Sequence, residues 1–296
     1  MARPPDADIE ISITLVRQLL ADEDKQLSAL PLTHVGFGWD NEVFRLGDEL
    51  AVRLPRRSLA APLVINEQRW LPGIAERVSI PIPAPIVSGR PSHGYPWHWS
   101  VVPWIPGEPI AQRPATSQQT MEELGRFLRE LHQPAPADAP TNEFRGIPLH
   151  HRTKSTLRNL TELSLSADVD ARLRTLWATA CNIAPWAEQP QWLHGDLHPL
   201  NVLELDGQLS GIIDFGDITS GDPATDLAIA WTLPGDHDPT VLRDAIGTEL
   251  IDDDTWARAA GWALSLGVTY CHFGDTDSGL QAIGERALQR ILNAEP

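Results

Sequence analysis

The stretch WLHGDLHPLNVLELDGQLSGIIDFGD, Trp192 to Asp217, constrains this chain more than any other. Val202 to Leu205 and Leu209 to Ile213 are strand-like, and Asp206-Gly207 between them is a strong turn dipeptide, so a β-hairpin is expected. A hairpin would bring the polar loop before it, His194 to Asn201, to the same end as Asp214 after it. Two carboxylates, Asp196 and Asp214, and the amide oxygen of Asn201 would then meet beside a backbone turn. Such oxygens suit a divalent cation carrying phosphate groups, which is the chemistry of phosphoryl transfer.

The 296 residues suffice for two domains or one two-lobed unit with a sizeable core. The two cysteines, Cys181 and Cys271, lie far apart in helix-like apolar settings, which argues against a disulfide framework or a Cys-based metal site and fits a cytoplasmic location. The start, MARPPDADIEISITLV, carries acids where a secretory signal has bases, and no run approaches the roughly 18 to 20 apolar residues of a membrane span. A soluble, unexported protein is therefore expected.

Of the net charge of −17, residues 1 to 103 hold −2 and the remainder −15; from Glu188 to Asp254 there are 15 acids and one base, Arg243. A solvated acidic face accounts for this, and so does a negative cleft wall that attracts a cationic substrate. Either way nucleic acid is disfavoured, because phosphate contacts need clustered Lys and Arg.

Residues 8 to 22 have helical spacing. From Thr33 to Arg57 the pattern is strand, glycine turn, strand, turn, strand. Gly36 and Gly38 let backbone N–H groups approach an anion, or simply make a turn. Arg53 is a cation within an apolar strand, and Glu67 on a predicted helix, Val64 to Leu71, is a natural partner. A cation held in that way can grip phosphates; an edge position or a surface ion pair explains it equally.

Pro81, Pro83 and Pro85 make an extended connector, and HWSVVPW, His98 to Trp104, reads as a strand at a boundary between lobes, either a plain edge strand or one whose free backbone groups pair with a purine edge. Helices are expected at Ser117 to His132, Thr153 to Leu163, Val169 to Ile183, Pro239 to Leu250, Thr255 to His272 and Ser278 to Leu292. The adjacent His150 and His151 are poor metal ligands without further partners. Asp222 and Pro223 open another helix, and Asp226 in its first turn can satisfy backbone donors of a neighbouring loop. Trp231, Trp262 and Tyr270, with Asp236 and the acids at 252 to 254, suit an amine-bearing ligand, although aromatics at such spacing are most often core.

With HGDLHPLN and IIDFGD at this spacing, the chain resembles the aminoglycoside phosphotransferase family from Thr33 to about Trp231. These are small-molecule kinases of protein-kinase-like fold, macrolide phosphotransferases included. The resemblance implies an α+β, two-lobed fold, with a β-rich nucleotide-binding lobe at 1–103 and a mainly helical catalytic and substrate lobe at 104–296. It implies ATP or GTP as co-substrate and Mg2+ as cofactor. Asp196 resembles the catalytic-loop Asp that accepts the proton of the acceptor hydroxyl, and Asn201 and Asp214 resemble the metal ligands. Gly36 to Asn41 would cover the nucleotide, Val101, Val102 and Trp104 would form the hinge, and Arg53 with Glu67 would grip phosphate. His194 and Asp226 would support the catalytic loop, while His198 would touch phosphate or shape the loop.

Two features depart from the patterns of relatives. Lys is usual on the third strand, but the chain has only Lys25 and Lys154, so Arg53 must serve there. His198 stands where protein kinases have Lys. The expected function is O-phosphorylation of a small cationic acceptor, first an aminoglycoside or macrolide antibiotic, giving resistance. A kinase of an endogenous amino alcohol or sugar is the alternative, and an inactive nucleotide-binding protein is a third.

Overall fold

The computed structural model describes residues 5–274 and 279–294. The chain divides into two compact units: one holds the described residues up to Pro106 together with Gly211–Gly216, the other Gly107–Ser210 and the described residues from Asp217 onward.

In the smaller unit, Ile13–Glu23 forms α1, started by the Ser12 hydroxyl, which accepts the Leu15 N–H at 3.2 Å. The helix begins later than expected, and Asp24 opens a separate short helix, α2 (Lys25–Ala29), by accepting the Gln26 N–H at 2.6 Å. There follow β1 (Leu32–Phe37), β2 (Asn41–Leu46), β3 (Leu50–Pro55), α3 (Ala61–Ala75), β4 (Val87–Gly89) and β5 (Trp99–Pro103). The strands pair in the order β1-β2-β3-β5-β4, every neighbour antiparallel. Phe44, Leu46, Val52 and Leu54 pack with Val16, Leu19 and Leu20 of α1 in one buried cluster. Side chains alternate along a strand, so Arg53, between Val52 and Leu54, faces away from that cluster. Gln68 of α3 fixes the helix to β5 by donating Nε2 to the Trp99 carbonyl at 2.8 Å and to the Ser100 hydroxyl at 3.1 Å. The connector carrying Pro81, Pro83 and Pro85 has no helix or strand, and the Pro81 carbonyl accepts the Ile212 N–H at 3.0 Å.

The larger unit contains β6 (Glu108–Pro109), α4 (Gln118–Leu131), α5 (Thr153–Glu162), α6 (Ala167–Cys181), β7 (Gln191–Leu193) and β8 (Val202–Leu205). β9 (Gln208–Ile212) starts in this unit and ends in the other. Then come β10 (Thr219–Gly221), α7 (Ala224–Leu227), α8 (Thr240–Ile246), α9 (Asp253–Phe273) and α10 (Leu280–Asn293). α9 is the hub, packed against α5, α6, α7 and α10. Every residue from Gly261 to Val268 is buried, so this stretch has no solvated side. Ser278, the expected first residue of α10, lies outside the described residues, as do the first four residues of the chain. Among the described residues no helix is long and apolar enough to cross a membrane.

Candidate active site

In the smaller unit the strand cation finds the partner expected of it. Arg53 Nη1 donates to Glu67 Oε1 at 2.9 Å, and Nη2 lies 3.5 Å from Asp214 Oδ1. Burial works against the guanidinium charge, but Glu67 and Asp214 outweigh it and hold Arg53 protonated. Asp214 ends the chain's passage out of β9 with φ of +65°, left-handed backbone that costs a non-glycine residue about 1 kcal/mol. Its carboxylate remains 59% exposed.

Gly36 lies near the end of β1, and Gly38 in the turn that joins it to β2. Gly36 has φ of +151° at a bulge in the ladder, and the Gly38 N–H donates to the Asn41 carbonyl at 2.9 Å. Asn41 Oδ1 is buried with no hydrogen-bond partner, an open acceptor in the loop expected to cover the nucleotide. Asp40, held to Arg57 at 2.7 Å, is pushed up by burial, which the neighbouring arginine only partly offsets.

The backbone groups expected to be free at Val101 to Trp104 are partly spent. The Val101 carbonyl accepts the Ile86 N–H at 2.9 Å and the Trp104 N–H donates to the Glu49 carbonyl at 2.7 Å. Val102 is buried and registers with Ala51. The sheet continues past β5 to β4, so the strand is not the bare edge its Pro103 suggested.

In the larger unit the loop from His194 to Asn201 is built around Asp226. That carboxylate is wholly buried and accepts the N–H groups of His194 at 2.8 Å and Gly195 at 2.9 Å, with His132 Nε2 at 3.1 Å. Burial opposes the charge, yet His132 and the backbone donors keep the Asp226 carboxyl below the usual carboxylate range. Gly195 must be glycine: its φ is +87°, and a Cβ there would lie 2.2 Å from the Asp217 carbonyl. His194 Nδ1 accepts the Asp196 N–H at 3.2 Å. Asn201 donates Nδ2 to the Asp196 carbonyl at 2.9 Å, which leaves its Oδ1 as the atom it offers a cation.

The Asp196 carboxylate itself has two nitrogen-bearing neighbours. Arg145 Nη2 donates to Oδ1 at 3.0 Å, and His198 Nε2 lies 3.4 Å from Oδ2. Burial raises the carboxyl pKa, but His198 and Arg145 more than reverse this and hold it far below the usual range. The acid is therefore a carboxylate at neutral pH. His198 stacks edge-on against Tyr270, ring centroids 5.7 Å apart. The Tyr270 hydroxyl is buried without a hydrogen-bond partner, and burial followed by the Asp196 charge keeps its proton on.

Of the four candidate acceptor-binding residues, only Tyr270 is brought to Asp196. Trp262 is fully buried, Trp231 is buried against Trp256 with ring centroids 4.7 Å apart, and Asp236 is exposed. The two tryptophans are core, because nearly every side of this helical region is covered. The acid-rich run is likewise largely internal in purpose. Asp222 pairs with Arg258 at 2.7 Å, Asp252 caps α9 through the Thr255 N–H at 2.7 Å, and Asp253 meets Arg243 at 2.7 Å. A wall of free carboxylates is not what surrounds Asp196.

Three residues of the group escaped the sequence reading: Arg145, Asn142 and His132. Asn142 Nδ2 donates to Asp217 Oδ1 at 2.8 Å. Arg152, on a short 3-10 turn, is buried, makes no side-chain hydrogen bond or ion pair among the described residues, and is pulled down to about 10 by burial and then by Arg145. The only signal of Asn142 and Arg145 was polarity in a loop, and His132 showed only as the end of a helix. His150 and His151 pack edge to face with each other, and no cluster of three or more His, Cys, Asp or Glu able to hold a metal occurs among the described residues.

An antiparallel sheet with a buried Arg–Glu pair, and a helical unit presenting an HGDLHPLN loop, define an α+β fold of the kinase-like phosphotransferase class. The chain belongs to the phosphotransferase enzyme family, whose sequence profile matches residues 32–262. It is 26% identical over 154 residues to an aminoglycoside 3'-phosphotransferase of Escherichia coli and 25% over 156 residues to one of Salmonella typhimurium. Each alignment takes in 49% of this chain and 56% of the relative, so the chain spans about half the length of the curated relatives it matches. Among solved structures, the GDP complex of aminoglycoside 2'-phosphotransferase-IIIa superposes with a TM-score of 0.70 at 19% identity, covering 93% of this chain and 98% of that one. Macrolide 2'-phosphotransferase from Brachybacterium faecium gives 0.64 at 18% identity, covering 96% and 99%. These likenesses establish the fold.

Proposed function

We propose that the chain transfers the γ-phosphoryl group of ATP or GTP to a hydroxyl of a small molecule, with an antibiotic of aminoglycoside or macrolide type as the first acceptor class. The observation that carries this is Asp196: a carboxylate kept ionised in a half-buried setting, its backbone fixed by His194 and Asn201, on a loop anchored by Asp226. The acceptor oxygen attacks γ-phosphorus, the bond to the β,γ-bridging oxygen breaks, and the hydroxyl proton passes to Asp196. Arg53, held by Glu67, grips phosphate oxygens, and the turn at Gly36 to Asn41 covers them.

Asn201 and Asp214 supply hard oxygen donors that fit magnesium, the first by its amide orientation and the second as an exposed carboxylate. The ion, when bound, neutralises charge on the β- and γ-phosphates. Streptomycin is the co-ligand of ATP in one neighbour and kanamycin of GDP in another, which supports an amine-bearing acceptor. Two free thiols suit a reducing, cytoplasmic setting.

Within a second acceptor class, an endogenous sugar or amino alcohol, one observation favours the sugar: Arg145 lies beside Asp196, and Arg152, without an ion pair among the described residues, lies near Arg145. Buried cations there favour a sugar hydroxyl over a densely aminated one. Nucleotide consumption over a panel of antibiotics, sugars and amino alcohols, with Asp196→Asn as control, tests the function. Turnover is expected with at least one acceptor, reduced on the order of 10²-fold or more in the variant. Full activity of Asp196→Asn would refute the mechanism, and turnover of sugars alone would select the second class.

A further inference from the structure

Arg145 belongs to none of the motifs that mark the site, yet it is mostly buried and donates to Asp196 Oδ1 at 3.0 Å. The segment carrying it is fastened on both sides. Upstream, the Pro140 carbonyl accepts the Ser220 N–H at 2.9 Å and the hydroxyls of Thr219 and Ser220 at 3.1 Å. Asn142 bridges, donating Nδ2 to Asp217 Oδ1 and accepting the Phe144 N–H on its own Oδ1 at 2.7 Å. Downstream, the Gly146 N–H donates to Thr225 Oγ1 at 3.1 Å and its carbonyl accepts the Asp222 N–H at 3.0 Å. Gly146 itself has φ of +68°, and a Cβ there would come 2.8 Å from Leu193.

All of these anchors belong to the strand pair β7–β10, to Asp217 in the turn just before β10, or to the turn and helix start just after it. The Asp196 loop leaves from the same pair, so Arg145 and Asp196 share one frame. A carboxylate turns easily about its last torsion, and His198, at 3.4 Å, is a long contact on the other oxygen. A charge-assisted bond from a fastened guanidinium stops that rotation.

We propose that Arg145 is a positioning residue: it holds the Asp196 carboxylate through Oδ1 and thereby aims Oδ2 at the acceptor hydroxyl. This rests on the phosphotransfer function proposed above. Guanidinium neither takes nor gives a proton in proteins, so Arg145 acts only through Asp196. Asn201 fixes the backbone of Asp196; Arg145 fixes its side chain. The same contact, were it instead a block on the base, would make removal of Arg145 accelerate the reaction.

The test measures kcat and KM of the full chain, its Arg145→Met and its Arg145→Lys variants, with an acceptor that the wild type turns over. Arg145→Met is expected to lower kcat about 100-fold, as small misplacements of reacting groups do. The KM values for nucleotide and acceptor should stay within about twofold, since the group lost is not a binding one. Arg145→Lys, which keeps a shorter cation on the same loop, should recover about tenfold of that loss. Melting curves accompany each variant, and if Arg145→Met does not fold, Arg145→Lys carries the test with a kcat about tenfold below wild type at unchanged KM. A kcat equal to or above wild type in Arg145→Met, a loss confined to KM, or a folded Arg145→Lys with kcat no different from either reference would overturn the role. No turnover by the wild type on any acceptor would overturn the proposed function itself, and this role with it.

Discussion

Replacing Asp226 with Ala removes one carboxylate and, with it, the acceptor for two backbone N–H groups and a histidine ring. His194 and Gly195 donate at 2.8 and 2.9 Å and His132 at 3.1 Å, all to a side chain with no exposure to solvent. Each buried N–H left unpaired costs about 1 to 3 kcal/mol. Removing one partner from a buried charged contact costs about 3 to 5 kcal/mol overall. In a unit of this size each kcal/mol lowers the melting temperature by roughly 2 to 4 °C, so Asp226→Ala should melt about 6 to 20 °C below wild type. Asp226→Asn keeps one acceptor but turns an NH2 toward the remaining donors, and should lose about half as much. The charge itself has a pH signature. The folded-state pKa of Asp226 is depressed by His132 and the backbone donors against the pull of burial. Its contribution is therefore fully present above the unfolded value of about 4 and disappears as pH falls through the folded value. The melting gap between wild type and Asp226→Asn should be flat from about pH 8 to 5 and close below about pH 4. Differential scanning fluorimetry across that range measures both effects. A gap of under about 2 °C for Asp226→Ala at neutral pH would show that the loop does not depend on this carboxylate.

Arg53→Gln should leave Glu67 buried beside a neutral amide and cost about 3 to 5 kcal/mol, whereas Arg53→Lys should fold but bind nucleotide more weakly, because an ammonium cannot serve Glu67 and Asp214 with a planar fork. Thermal shifts with magnesium and ATP or GTP distinguish the two, and an undiminished shift for Arg53→Lys counts against a phosphate-gripping role. Gly146→Ala should destabilise by about 1 to 2 kcal/mol for its left-handed backbone, and by more if Leu193 cannot yield. Chemical denaturation reads this directly, and a neutral result would mean that the Arg145 segment is looser than its hydrogen bonds suggest.

The hairpin Val202 to Ile212 and the three strands around Arg53 were legible because short apolar runs with glycine turns between them leave little choice of pairing. Arg53 and Glu67 were legible for a related reason: a cation in a strand demands a partner, and one helix lay within reach. Asp226 was legible from its place in a first helical turn. Arg145 was not, since an isolated arginine in a loop looks the same whether it is solvated or pinned to a carboxylate. The roles of Trp262 and Tyr270 were hidden by burial on almost every side of α9, which erases the one-sided pattern that tells core from ligand wall. The acid-rich run misled for a similar reason, because charge counted along a sequence does not show which acids are already spent on Arg258, on caps or on backbone N–H groups.

The six residues Gly211–Gly216, which join the smaller unit although the flanking chain belongs to the larger, limit how such a protein can be taken apart. A break after Pro106 would deprive the sheet-bearing half of the Ile212 N–H on Pro81 and of Asp214 beside Arg53. That half is therefore not a transplantable cassette: recombination at the first junction alone would pair its arginine with a carboxylate inherited from another parent. A chimaera between two family members needs its donor sequence in two separate segments, and a library shuffled at single crossovers should be poor in folded products whenever the parents differ around Asp214.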